Sequence, residues 1–133
     1  MKTHKGILAI LAATVWISIS EFFRNEFLLK SYWTSHYQTL GLQFPSQPVN
    51  GAVWGLWSLL FATAIYFIAG KFNLLQTTFL SWFVAFVLMW VTLGNLAVLP
   101  FGLLWFAVPL SLFESFVAAW IIRTLKKATG SRQ

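Results

Sequence analysis

Thr14, Ser18, Glu21 and Asn25 recur at gaps of four, three and four residues, with Arg24 beside them. On an α-helix this spacing draws one continuous polar stripe. Glu21 and Arg24, three apart, are placed to pair. A carboxylate, a guanidinium and a carboxamide side by side can hold a proton, an ion or a charged ligand. A second carboxylate, Glu114, stands among apolar residues near the other end of the chain. Two chemistries fit it: a hydrogen-bonding group that ties helices together, or a proton- or cation-binding site.

Other reactive combinations are missing. The chain has no Asp and no Cys, and its two histidines, His4 and His36, are far apart. That composition excludes a Ser-His-Asp triad, a thiolate nucleophile, a disulfide and a His/Asp metal cluster within one chain. The glycines are dispersed and form no phosphate-binding loop. The expectation is a protein that is not an enzyme and uses no cofactor or metal.

What positions the polar stripe is a set of apolar segments. Four stretches, near 6–22, 51–70, 75–99 and 101–122, contain only Glu21 and Glu114 as acidic or basic side chains. About 20 apolar residues suffice for a helix to cross a bilayer core. Hydrophobic residues make up 59% and charged residues 9% of the chain, against roughly 45–50% and 25% in soluble domains. The fold class is therefore an all-α membrane protein. One domain, 1–133, forms a four-transmembrane-helix antiparallel bundle with spans near 6–26, 51–70, 75–99 and 101–122. Tight turns at Gly70-Lys71-Phe72-Asn73 and Leu99-Pro100-Phe101-Gly102 make the joined helices antiparallel neighbours. Trp33, Tyr37 and Leu40 share one helical face in SYWTSHYQTL, which predicts a short interfacial helix over 31–40.

The net charge of +6 does not point to nucleic acid, because of where the basic residues fall. Lys2, Lys5, Lys71, Arg123, Lys126, Lys127 and Arg132 all lie on one side of a four-span chain, and only Arg24 and Lys30 on the other. By the positive-inside rule both termini are cytoplasmic, with the basic tail an anchor that can touch anionic lipid. Ser18-Ile19-Ser20 before Glu21 also fits a signal-peptide cleavage site, which would leave three spans. The apolar character resumes at once in Phe22-Phe23, and this favours an uncleaved span.

Centring each span in the membrane gives approximate depths. Glu21 falls roughly 7 Å outside the midplane at ~1.5 Å per residue, level with Thr92, while Arg24 and Asn25 fall near Asn95 and Asn50. The predicted ligand- or ion-binding cluster is Glu21, Arg24, Asn25, Asn50, Thr92 and Asn95. Glu114 lies deeper, with Thr14, Thr63 and Ser111 as its expected hydrogen-bond partners. Trp16, Trp57 and Trp90 fall near the centre and are expected to fill the core. Gly51, Gly55, Ser58 and Ala62 form a stripe of small residues that lets another helix approach, expected within the chain, with a homodimer or a membrane partner open. Pro109 interrupts the fourth span and can kink it.

The segment LLKSYWTSHYQTLGL, followed by a Trp- and Gly-rich second span and a tight hairpin, resembles small bacterial four-span membrane proteins of unknown function. The resemblance implies a bacterial inner-membrane location and no particular activity. Small multidrug transporters have a similar size and a Glu in the first span, but nearer its middle than Glu21. The leading functional expectation is a small transporter or ligand-binding membrane protein. The alternative is a structural or accessory subunit that binds a partner by helix packing.

Overall fold

A computed structural model of the chain describes residues 2–130. Arg132 and the Lys2 side chain, counted above among the basic residues, lie outside the described residues. The described chain is all-helical and holds four helices long and apolar enough to cross a membrane, at Thr3–Leu28, Pro48–Ile68, Leu74–Asn95 and Phe101–Ala128.

Helix α1 spans Lys2–Phe22 and passes without a break into a π-helical segment, Phe23–Leu28. Neither Gly nor Pro interrupts this stretch, and its last bond runs from the Leu29 N–H to the Arg24 carbonyl at 2.8 Å, five residues back. Such wider turns shift the helix face by one residue and often accompany functional side chains. Helix α2 follows at Lys30–Thr39. It ends where Gly41 adopts φ +72°, with Gly41 N–H bonded to Gln38 O and Leu42 N–H to Tyr37 O. This is a Schellman cap, which needs a left-handed residue.

The chain re-enters at α3, Pro48–Ile68, with Pro48 in the first turn and the Asn50 carboxamide accepting the Gln47 N–H at 3.0 Å. Helix α4, Leu74–Trp82, starts at an Asn73/Gln76 capping box. A second π segment, Phe83–Val87, links it to α5, Leu88–Asn95. Helix α5 ends four residues before the predicted boundary near 99, because Ala97 turns the backbone at φ +62° and closes another Schellman pair, Ala97 N–H to Gly94 O and Val98 N–H to Leu93 O. A 3₁₀ turn at Phe101–Leu103 leads into α6, Leu104–Gly130. The fourth helix thus runs on past residue 122, and the described part of the basic segment expected as a tail, up to Gly130, is helical.

Helix α1 packs between α3 and α6, while α4 closes the bundle against α6 and α3. The contact surfaces are small: Ala9 and Ala13 of α1, Ala62 of α3 and Ala69 at its C-cap, and Ala118 and Ala119 of α6 are buried around Ile17, Phe61, Ile65, Phe86 and Ile122. Small side chains let helix backbones approach, which is the main source of van der Waals gain between helices surrounded by lipid. At Gly6 the space is taken by a side chain of α3, since an added Cβ would lie 2.7 Å from the Tyr66 hydroxyl. The outward face of α1 is the reverse, with Ile7, Leu11, Val15, Ile19 and Phe22 exposed at helical spacing. Interiors built from Ala, Ser and charged groups, with Leu, Val and Phe outside, invert the pattern of a water-soluble bundle.

The small-residue stripe of α3 is split. Ser58 and Ala62 are buried, but a Cβ placed on Gly51 or Gly55 would meet nothing within 4 Å. The expected intrachain packing through Gly51 and Gly55 is absent. The tight helix contact falls instead on Gly6, Ala9 and Ala13, whose gaps of three and four carry the same signal. Ala13→Leu should therefore overpack this contact and cost about 1–3 kcal/mol. Val15→Leu on the exposed face should leave thermal unfolding in detergent unchanged.

Candidate functional site

Where α1 widens into its π segment, Glu21 and Arg24 are both enclosed, 4% and 5% exposed. Arg24 Nη2 donates to Glu21 Oε1. Its other nitrogen, Nη1, stands 3.7 Å from Glu114 Oε2, reaching from α1 to a carboxylate on α6 that is fully buried. The guanidinium also lies over the Phe86 ring, 5.1 Å from its centre. Phe86 belongs to the second π segment, so the two widened turns meet at this cation. Glu21, Arg24 and Glu114 form a buried triad of two carboxyl groups and one guanidinium.

The triad is held from both sides. Asn25 Nδ2 donates to the Glu21 backbone carbonyl at 3.1 Å and to Glu21 Oε2 at 2.9 Å, and Asn25 Oδ1 accepts the Trp33 indole N–H at 3.2 Å. Trp33 is on α2, so the short helix is wired to the triad. Around it, Trp33 stacks on Phe44, His36 Nε2 lies 2.8 Å from the Ala97 carbonyl, and Tyr32 packs against Phe106. On the other side, the Trp16 indole donates to the Glu114 backbone carbonyl at 3.0 Å. The Trp82 indole donates to Ser111 Oγ at 2.8 Å, which in turn donates to Val108 O. These bonds set α1 and α4 against α6 at neighbouring levels.

The hydrogen-bond balance at the triad is incomplete. Arg24 Nη1, both Glu114 carboxyl oxygens and the hydroxyl of neighbouring Ser115 are buried without a hydrogen-bond partner. Buried polar atoms are nearly always satisfied; here Arg24 Nη1 and Glu114 Oε2 face each other at 3.7 Å, within ion-pair distance but beyond hydrogen-bond reach. With both carboxyl groups ionised, the triad would carry one negative charge in excess, since arginine does not lose its proton.

The remaining predicted site residues are elsewhere. Asn95 is exposed at the end of α5, the Thr92 hydroxyl donates to Leu88 O, and Asn50 is spent on capping α3. Equal depth did not bring them together, because they face different directions around their helices. The partners expected for Glu114 are also engaged otherwise: Thr14 with Ile10 O, Thr63 with Leu59 O, and Ser111 with Trp82 and Val108. Arg24 takes their place. Sequence reasoning missed Phe86 and the donor role of Trp33. Glu26, on the exposed flank of the π segment, pairs with Lys30 at 3.2 Å, a contact of little energetic weight.

At the opposite end of the bundle the basic residues do structural duty. Arg123 Nη1 donates to Phe72 O at 2.6 Å and Ala69 O at 3.3 Å. Lys126 Nζ donates to Tyr66 O at 3.2 Å and sits 4.0 Å from the Tyr66 ring centre. Cations from α6 thus meet backbone carbonyls at and just beyond the C-terminus of α3, where the helix dipole is negative. Two grooves also mark the surface. The larger, about 490 Å³, is open and walled by residues such as Phe72, Phe79 and Phe83. The smaller, about 170 Å³, lies between α3 and the α4 region. No triad residue lines either one.

No family model matches the chain, and neither any curated protein nor any solved structure does.

Replacing Arg24 alone would strand two buried carboxyl groups. Arg24→Gln should cost about 3–5 kcal/mol, as for other broken buried ion pairs. The triple change Glu21→Gln, Arg24→Gln, Glu114→Gln should recover a substantial part of that loss in denaturation measurements made in detergent.

Proposed function

We propose that the chain is a small multi-pass inner-membrane transporter or ligand-binding protein whose buried triad carries one exchangeable proton. The observation that supports this most directly is the pairing of two enclosed carboxyl groups with a single guanidinium, which approaches Glu114 at 3.7 Å without a hydrogen bond. One added proton on the pair of carboxyl groups makes the triad neutral. A proton also needs no cavity, which suits side chains sealed this completely. Intramembrane carboxylates commonly mark ion and proton pathways.

Orientation follows from the basic end. Arg123 and Lys126 reach the α3 terminus beside Lys71, and Gly6 packs on Tyr66 there, which brings the start of α1 to the same end. That end is assigned to the cytoplasm by the positive-inside rule, with both termini inside. Helix α2 then lies on the outer side, covering the end of the bundle nearest the triad. The bacterial inner membrane is supported by the architectural resemblance of the LLKSYWTSHYQTLGL region.

The test is infrared difference spectroscopy of the purified chain in lipid across pH, with Glu114→Gln as control. A carboxyl band that appears and disappears reversibly with pH, and is absent from the variant, is expected. The same band unmoved by exchanging sodium for potassium assigns the exchange to protons. A spectrum unchanged by pH, or unchanged by the substitution, would reduce Glu114 to a fixed link between helices.

A second reading rests on the uncovered part of α3. Gly51 and Gly55 have open space before them, and Val53, Trp54 and Leu56 around them are exposed, as on a helix that packs against a second membrane chain. Gly55→Leu should leave the unfolding free energy within about 0.5 kcal/mol of wild type, like other surface changes. If the second reading holds, the same variant should weaken association measured by crosslinking in membranes.

A further inference from the structure

The side-chain carboxylates of the chain are all engaged away from its basic end. Glu21 and Glu114 face Arg24, Glu26 pairs with Lys30, and there is no Asp. At the basic end three cations close on one turn. Arg123 Nη1 bonds the carbonyls of Ala69 and Phe72, and Lys126 Nζ bonds that of Tyr66 and would stand 3.5 Å from a Cβ placed on Gly70. Lys71 belongs to the turn itself. Neutral carbonyls orient these groups but leave their formal charges uncancelled. Unlike the triad, the cluster can be reached from outside: Lys71 is exposed, and Arg123 and Lys126 are half-buried.

We infer that the turn at 69–72 is a binding site for the phosphate of an anionic phospholipid, held by Lys71, Arg123 and Lys126. Like charges this close raise one another's energy, and an anion among them lowers it. Phosphate suits the donors, because a guanidinium offers five N–H groups and an ammonium three, and the carbonyl bonds occupy only part of them. The surroundings decide which phosphate. Phe67, Phe72 and Leu75, within and on either side of the turn in sequence, are exposed and apolar, so a phosphate that carries acyl chains gains contacts that a free phosphate lacks. A zwitterionic headgroup is disfavoured, since it brings a further cation into the cluster. Basic pockets between membrane helices on the cytoplasmic side are suited to anionic headgroups, and the positive-inside rule assigns this turn to that side. The site is separate from the Glu21–Arg24–Glu114 triad and does not depend on the proton reading.

The experiment uses the full chain in neutral detergent, native mass spectrometry, and phosphatidylglycerol and phosphatidylcholine of matched acyl chains as probes. Expected is an affinity for phosphatidylglycerol about fivefold or more above that for phosphatidylcholine, on the scale of one charge near an anionic surface. Lys71→Gln, at an exposed position, should lower the phosphatidylglycerol affinity about fivefold, and Arg123→Gln should lower it as well. Lys30→Gln, which removes an exposed cation at the opposite end, should leave it unchanged. Should Arg123→Gln fail to fold, the comparison of Lys71→Gln with Lys30→Gln decides the matter. Inorganic phosphate at the concentration of the lipid should not displace it. Equal retention of the two lipids, or a loss from Lys71→Gln no greater than from Lys30→Gln, would overturn the site. Displacement by inorganic phosphate at equal concentration would overturn the lipid as the source of the phosphate.

Discussion

A guanidinium inside a helical bundle is a charge that cannot be removed. Carboxylic acids escape burial by taking up a proton, but arginine keeps its charge at any accessible pH. Arg24 therefore dictates its surroundings. It needs an anion within reach, which Glu21 supplies one helical turn away, and an apolar neighbour that still favours a cation, which the Phe86 ring supplies. Glu114 approaches at 3.7 Å and completes a contact between α1 and α6. The remaining packing is compatible with this requirement: alanines at the helix contacts bring the backbones near enough for three side chains from two helices to meet.

The two π segments belong to the same account. One contains Arg24 and the other Phe86. A π turn carries an extra residue, so side chains beyond it are rotated relative to those before it. On α1 the turn places Arg24 on the buried side while Phe22, Phe23 and Phe27 remain exposed. On the third span it lies between Trp82, which bonds Ser111 of α6, and Phe86, which packs on Trp57 and Phe61 of α3 and under Arg24. Two departures from regular helix thus occur where an unusual interior group has to be accommodated.

Four long helices, the short helix α2 and the Glu21–Arg24 pair were legible in the sequence, because each rests on local spacing: apolar run length for the spans, aromatic periodicity for 31–40, and a separation of three for the pair. The approach of Glu114 was not legible. Depth counting places residues along the membrane normal but not around each helix, so Thr92 and Asn95 seemed to join Glu21 although they face away. Arginine's length also matters, since it bridges levels that a count of helical rise keeps apart. The α3 stripe shows the same limit: Gly51 and Gly55 carry a packing signal, yet only the fold reveals that nothing of this chain occupies the space before them. The helix boundary at Asn95 escaped for another reason. Its cap is an alanine at positive φ, where a glycine would have announced the turn.

One consequence concerns how the short helix relates to the triad. Glu21 divides its two oxygens, Oε1 towards Arg24 and Oε2 towards Asn25, and Asn25 is in turn the acceptor for Trp33 of α2. A change of charge at Glu114 alters the pull on Arg24, and Arg24 shares Glu21 with Asn25. Helix α2 is thereby joined to the triad by side chains bonded in series, Trp33 to Asn25, Asn25 to Glu21 and Glu21 to Arg24. The far side of α2 is pinned by His36 to the Ala97 carbonyl, in the strained turn between α5 and α6. Helix α2 is consequently held at one edge by the triad and at the other by the turn that leads into the helix bearing Glu114. A surface helix fastened in this way cannot shift without disturbing either Asn25 or the start of α6, and both of those lead back to the same buried carboxyl groups.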